Sequence, residues 1–160
     1  MRANNISWRA ISRFAPRGWR KPVSRHVFTY GSLMFVPVWT RLVPRSLASV
    51  AAVLEGFVRE GVRRQRYPGI RREPGASTQG RLYLNVDEHE ITRLDAFEGD
   101  AYQRESVQVS VATRDGRHLA LPAEVYRFVD TADLDGAPWD PERFARDSAA
   151  GFHHDHAGRG

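Results

Sequence analysis

The chain has 160 residues, 41% of them hydrophobic and 11% aromatic, enough for one domain with a sizeable core. It contains no cysteine, which excludes a disulfide framework, a thiolate zinc site and a cysteine nucleophile. The formal charge of +5 points toward nucleic acid or an anionic membrane until its distribution is read: seven of the 24 basic residues and no acidic ones fall in residues 1–25, so the remainder sets 17 basic residues against all 19 acidic ones and no basic nucleic-acid face is expected.

Residues 1–25 intersperse arginines with Trp8, Ile11, Phe14 and Trp19 but carry Pro16, Gly18 and Pro22 and no sustained helical period, the pattern of a disordered extension. No apolar run reaches the roughly 18 residues of a membrane span, and no signal-peptide core is present, so a soluble, cytoplasmic protein with no membrane span is expected. The domain proper is expected over residues 26–152.

"VFTYGSLM", at residues 27–34, is a strand pattern cut off by Gly31 and Ser32. A strand ending this way either simply turns or presents successive backbone N–H groups able to hold a carboxylate or a developing oxyanion. Ser32 sits in no G-x-S-x-G elbow, which argues against a serine hydrolase. Pro37 in a first turn, then Val38, Trp39 and Leu42, predicts a short helix stopped by Pro44. Residues 48–58 read as a buried strand, 62–67 as a more exposed arginine-rich strand, and 67–77, with two prolines and two glycines, as a loop.

Leu82, Leu84 and Val86 alternate with polar neighbours as a strand does; Asp87 and Glu90 then form a capping-box pair, and Gly99 marks the far end of a helix over 88–98. Ile91 and Leu94 define its apolar stripe, and the next position on that stripe is Glu98. Two readings stay open there: a desolvated carboxylate with a raised pKa suited to acid/base chemistry, or a last-turn residue turned out to solvent. Val107, Val109 and Val111 form one arm of a hairpin that turns at 114–116 and returns over 119–129; Asp140, Pro141 and Glu142 start a last helix that Gly151 ends. The histidine-rich tail at 153–160, part of "FHHDH", reads as a frayed terminus with at most adventitious metal affinity. Strands broken by three short helices predict a mixed α+β sheet curling toward a barrel.

Taken together, "VFTYGSLM", "RYPGI", "GRLYL", "ITRLDAFEGDAYQRESVQV" and "PWDPERFARDSAAGF" resemble the γ-glutamylcyclotransferase-like superfamily, in particular its plant avirulence-induced-gene-like branch. The resemblance implies a small mixed β-barrel with flanking short helices. It implies that the loop of Tyr30, Gly31, Ser32, Leu33, Met34 and Phe35 binds a glutamyl group, that Glu98 is the general acid/base, and that Tyr102 and Tyr126 line the same pocket. It further implies a small-molecule γ-glutamyl substrate cyclised to 5-oxoproline, with no cofactor and no metal. The substrate class stays open between γ-glutamyl amines and γ-glutamyl peptides, since Met34-Phe35-Val36 replaces the Tyr-Gly-Ser-Asn-Leu form of the dipeptide-directed members. A non-catalytic binding module that keeps the pocket is the alternative.

Overall fold

The computed structural model describes residues 24–151 together with Arg17, with side chains through Ser148. The rest of the basic extension and the histidine-rich tail lie outside the described residues. Strand β1 (Ser24–Thr29) runs into a 3-10 turn (Ser32–Met34) and helix α1 (Val36–Leu42). Two long strands follow, β2 (Ser49–Val62) and β3 (Pro68–Asp87), then helix α2 (Glu88–Glu98) and a second 3-10 turn (Gly99–Ala101). Strands β4 (Tyr102–Ala112) and β5 (His118–Phe128) form the hairpin, and β6 (Leu134–Pro138) leads to helix α3 (Pro141–Gly151).

The six strands lie in the order β3-β1-β5-β4-β2-β6, and β2 also pairs with β3, so five of them close into a ring. All pairings are antiparallel except β1 with β5, which gives the mixed sheet expected from the sequence. Phe28, Leu54, Phe57, Ile70, Leu82 and Val125 fill the ring. A second apolar layer lies between the ring and the helices: Val27, Tyr83 and Tyr126 from the strands meet Leu33, Val38, Trp39, Ile91 and Leu94. Neighbouring residues of β1, Val27 and Phe28, therefore face opposite cores, as the period of two demands. Gly80 permits the tightest approach in this sheet, because a Cβ there would stand 2.1 Å from the Thr29 carbonyl oxygen.

Helix α2 begins as the sequence dictates. Asp87 accepts from the Glu90 N–H while the Glu90 carboxylate accepts from the Asp87 N–H, both at 2.8 Å. Glu90 is buried, and the Arg45 guanidinium pairs with it at 2.9 and 2.8 Å. Asp140 caps α3 by accepting from the Glu142 N–H at 2.9 Å.

Two expectations are corrected. Residues 67–77 are not a loop: β3 already starts at Pro68 and pairs with β2 from Gly61↔Pro68 onward, with a register break between Glu55 and Phe57. The exposed strand expected at 62–67 is instead the connection between β2 and β3, where Arg64 takes a positive φ of 61°. Local turn chemistry is overridden here by pairing along two long strands and by packing: a Cβ on Gly69 would lie 2.6 Å from Phe128 Cβ.

Candidate active site

The loop after β1 is held at both ends of Tyr30. This side chain is buried, and its hydroxyl donates to the Tyr126 carbonyl at 2.5 Å, while its own carbonyl accepts from Arg59 Nη1 at 2.9 Å. Gly31 then passes against the Pro68 ring; a Cβ there would stand 2.9 Å from Pro68 Cδ and Cγ. Met34 N–H donates to the Gly31 carbonyl at 3.0 Å and Phe35 N–H to that of Ser32 at 3.1 Å, closing the 3-10 turn. The opening N–H groups of such a turn have no partner within it, and among the described residues those of Gly31, Ser32 and Leu33 donate to no acceptor. Leu33 is anchored in the helix-side core, and Phe35 packs on Phe144 of α3 with ring centroids 5.2 Å apart.

Glu98 is the last residue of α2, half-buried, and Gly99 follows it with φ of 63°, the left-handed geometry that ends the helix. Burial raises its carboxyl to about 8, and among the described residues no hydrogen-bond donor or cation pairs with it. Three phenols share its surroundings. Tyr30, Tyr102 and Tyr126 are all raised, first by burial and in part by the negative charge of Glu98. Each phenol has its proton committed elsewhere: Tyr30 to Tyr126 O, Tyr102 to Pro68 O at 2.7 Å, Tyr126 to Asp95 Oδ1 at 2.7 Å. The Glu98 carboxyl thus acts electrostatically on three phenols whose hydroxyls donate to other acceptors.

Tyr30, Glu98, Tyr102 and Tyr126 are therefore brought together, and Gly31 joins them through Pro68, which touches the glycine and accepts from Tyr102. Sequence reasoning missed Pro68 and Arg59. Asp95 accepts from Arg104 Nε at 2.9 Å and also from the Tyr126 hydroxyl. Among the described residues no three His, Cys, Asp or Glu side chains gather to hold a metal ion. A shallow cleft of about 370 Å³ lined by Arg71, Arg72, Glu105, Arg127 and Thr131 shares no residue with this group. Its guanidinium groups are already matched by Glu60, Glu73 and Glu105.

Residues 27–143 match the family model described as γ-glutamyl cyclotransferase, AIG2-like. The chain is 32% identical over 126 residues to AIG2-like protein D of Arabidopsis thaliana, covering 79% of this chain and 82% of that one. A solution structure of another Arabidopsis thaliana protein superposes with a TM-score of 0.65 at 28% identity, covering 82% of this chain and 79% of that one. A γ-glutamyl cyclotransferase superposes with a TM-score of 0.56 at 19% identity over 86% of this chain and 93% of its own length, a likeness of fold. No helix among the described residues is long and apolar enough to cross a membrane.

Proposed function

This chain belongs to the γ-glutamyl cyclotransferase, AIG2-like family, and on that premise we propose that it cyclises a γ-glutamyl amine or peptide to 5-oxoproline with release of the amine. The observation that carries this reading is the desolvated, unpartnered Glu98 carboxyl within the electrostatic reach of Tyr30, whose next residues offer three free backbone N–H groups.

Such a substrate brings its own nucleophile. The α-amino nitrogen attacks the γ-carbonyl carbon and closes a five-membered ring, and the bond from that carbon to the leaving nitrogen then breaks. Attack requires the α-ammonium to lose a proton. A cation placed beside Glu98 favours its ionised form, and the carboxylate, poorly solvated, accepts that proton readily. Glu98 passes this proton to the departing nitrogen as the tetrahedral intermediate collapses, and the second proton shed by the ring nitrogen leaves with the released amine as its ammonium, so Glu98 ends as it began. While the carbonyl oxygen carries negative charge, N–H groups of Gly31, Ser32 and Leu33 are suited to receive it. Enclosure by Tyr30, Tyr102 and Tyr126 excludes water and favours a folded-over substrate, which raises the effective concentration of the amine at its own carbonyl. No step in this scheme calls for a cofactor.

The test is release of 5-oxoproline from a panel of γ-glutamyl amines and dipeptides. Wild-type protein is expected to turn over at least one compound, and Glu98→Gln to lose that turnover with an unchanged circular dichroism spectrum. Full activity in the glutamine variant would overturn the assignment.

A further inference from the structure

Arg59 stands apart from the arginines that pair across the fold. Arg25, Arg45, Arg71, Arg104 and Arg127 each pair with at least one carboxylate within 3 Å. Arg59 is half-buried on β2, and among the described residues no carboxylate lies within ion-pair distance of it; Asp140 acts on it only from farther away. Its Nη1 donates to the Tyr30 carbonyl at 2.9 Å and more weakly to that of Gln79 at 3.3 Å. The Nε and Nη2 hydrogens, the edge of a guanidinium that takes a carboxylate in parallel, are donated to nothing described.

This arginine is also fixed in place. Phe57, two residues earlier on the same side of β2, is buried in the ring. The Trp139 ring lies 5.4 Å from the guanidinium carbon and is itself held by its Nε1–H donating to Arg66 O at 2.8 Å. Trp139 continues through Phe144 (5.4 Å) to Phe35, so the guanidinium, the last helix and the 30–35 loop form one connected wall. A cation withdrawn from water without an anion is costly to maintain, and a site for an anionic ligand accounts for it.

We propose that Arg59 is the carboxylate anchor of the site, receiving the α-carboxylate of a glutamyl group through its free Nε/Nη2 edge beside Tyr30 and Gly31. The inference rests on the reading proposed above, in which the substrate carries a carboxylate and an ammonium on one carbon. Tyr30 links both requirements, since its carbonyl is bound by Arg59 while its phenol, bonded to the Tyr126 carbonyl, lies within the electrostatic reach of Glu98. Selectivity follows: free α-carboxylates bind, and α-amides or α-linked peptides, which lack the anion, do not.

The experiment is calorimetric titration of the full chain with 5-oxoproline and with its uncharged amide, in wild type, Arg59→Met and Arg59→Lys. A charge-assisted pair lost from a half-buried site corresponds to roughly a tenfold or greater change in affinity. Wild type is expected to prefer 5-oxoproline by at least about tenfold, Arg59→Met to bind acid and amide equally, and Arg59→Lys to recover part of the preference. Circular dichroism of each variant separates this from unfolding, and if the methionine variant does not fold, the lysine variant decides alone by a reduced preference. A methionine variant that keeps the wild-type preference overturns the proposal, as does a wild type that binds neither compound or shows no preference. The two readings fail separately: turnover that depends on Glu98 while Arg59→Met keeps the preference sinks only the anchor, and Arg59-dependent binding without any turnover sinks only the cyclotransferase.

Discussion

The Tyr126 hydroxyl donates to Asp95 one helical turn before Glu98, so the helix that supplies the carboxyl group also fixes a phenol beside it. Asp95 and Glu98, three residues apart, lie on neighbouring parts of one face of α2. Arg104 closes the arrangement by donating to Asp95 and lying 3.6 Å from the buried Glu124, to which Arg25 also donates at 2.6 Å. Removing the Tyr126 hydroxyl takes a donor from Asp95 and a neighbour from Glu98. Tyr126→Phe is therefore expected to lower stability by about 1 kcal/mol in urea melts and to reduce kcat more than it raises KM. An unchanged kcat would show that the phenol is only structural.

Stability is expected to depend on pH through Glu98. In the folded chain its carboxyl titrates near 8, against an ordinary value of 4.5, so between those pH values the folded state holds a proton that the unfolded state has released. Its contribution to stability accordingly falls as pH rises from 4.5 to 8 and levels off above. Glu98→Gln removes the titration, and its melting temperature should exceed that of wild type increasingly over that window. Curves that stay parallel from pH 5 to 9 would contradict the burial of this group.

On the proposed mechanism the same titration governs activity. A carboxylate acting as base is required in its ionised form, so kcat/KM should rise with pH and bend near 8, while kcat should bend at lower pH, because bound substrate places its ammonium beside the carboxylate. A pH–rate profile already level at pH 6 would place the base elsewhere.

Gly31 is open to a direct steric test. An alanine methyl group would meet the Pro68 ring at 2.9 Å, and either the loop or the ring must give way. Gly31→Ala is expected to lower kcat/KM by at least about tenfold, because displacement of donor groups by fractions of an ångström is strongly felt in the transition state. Pro68→Ala in the same chain should recover part of the loss, a coupling that a double-mutant cycle reads directly. Additive effects would mean that the contact is not what constrains the loop.

Leu94 is fully buried on the stripe that precedes Glu98. Leu94→Ala should cost about 3 kcal/mol in denaturant unfolding through lost burial and the cavity left behind. A cost below about 1 kcal/mol would show that α2 is not seated as described.

Legibility followed the range of the interactions involved. Helix α2 was readable to the residue because its signals are local: Asp87 and Glu90 cap it, Ile91 and Leu94 give its period, Gly99 ends it. The β4–β5 hairpin and the Asp140 cap were readable for the same reason. The start of β3 was not, because Pro68, Gly69, Pro74 and Gly75 favour turns locally and only pairing with β2 extends them. Glu98 announced itself as a carboxylate on an apolar stripe, whereas its grouping with Tyr30, Tyr102 and Tyr126 depends on two strand positions and one just past β1, with no shared local pattern. Arg59 left no signal at all. An arginine in a strand is ordinary in sequence, and what distinguishes it is the partner it lacks.

The parallel pairing of β1 with β5, at Val27↔Glu124, has a consequence for biosynthesis. Ring closure joins segments almost a hundred residues apart, a loop whose entropy must be met before the contact contributes anything. Tyr30 emerges from the ribosome early and Tyr126 late, and the hydrogen bond between them exists only once β5 is available. A nascent chain halted before that strand therefore contains the loop and Glu98 but has no third wall to set them against. The cluster of Tyr30, Glu98, Tyr102 and Tyr126 thus forms late in synthesis, when nearly the whole domain can fold as one unit.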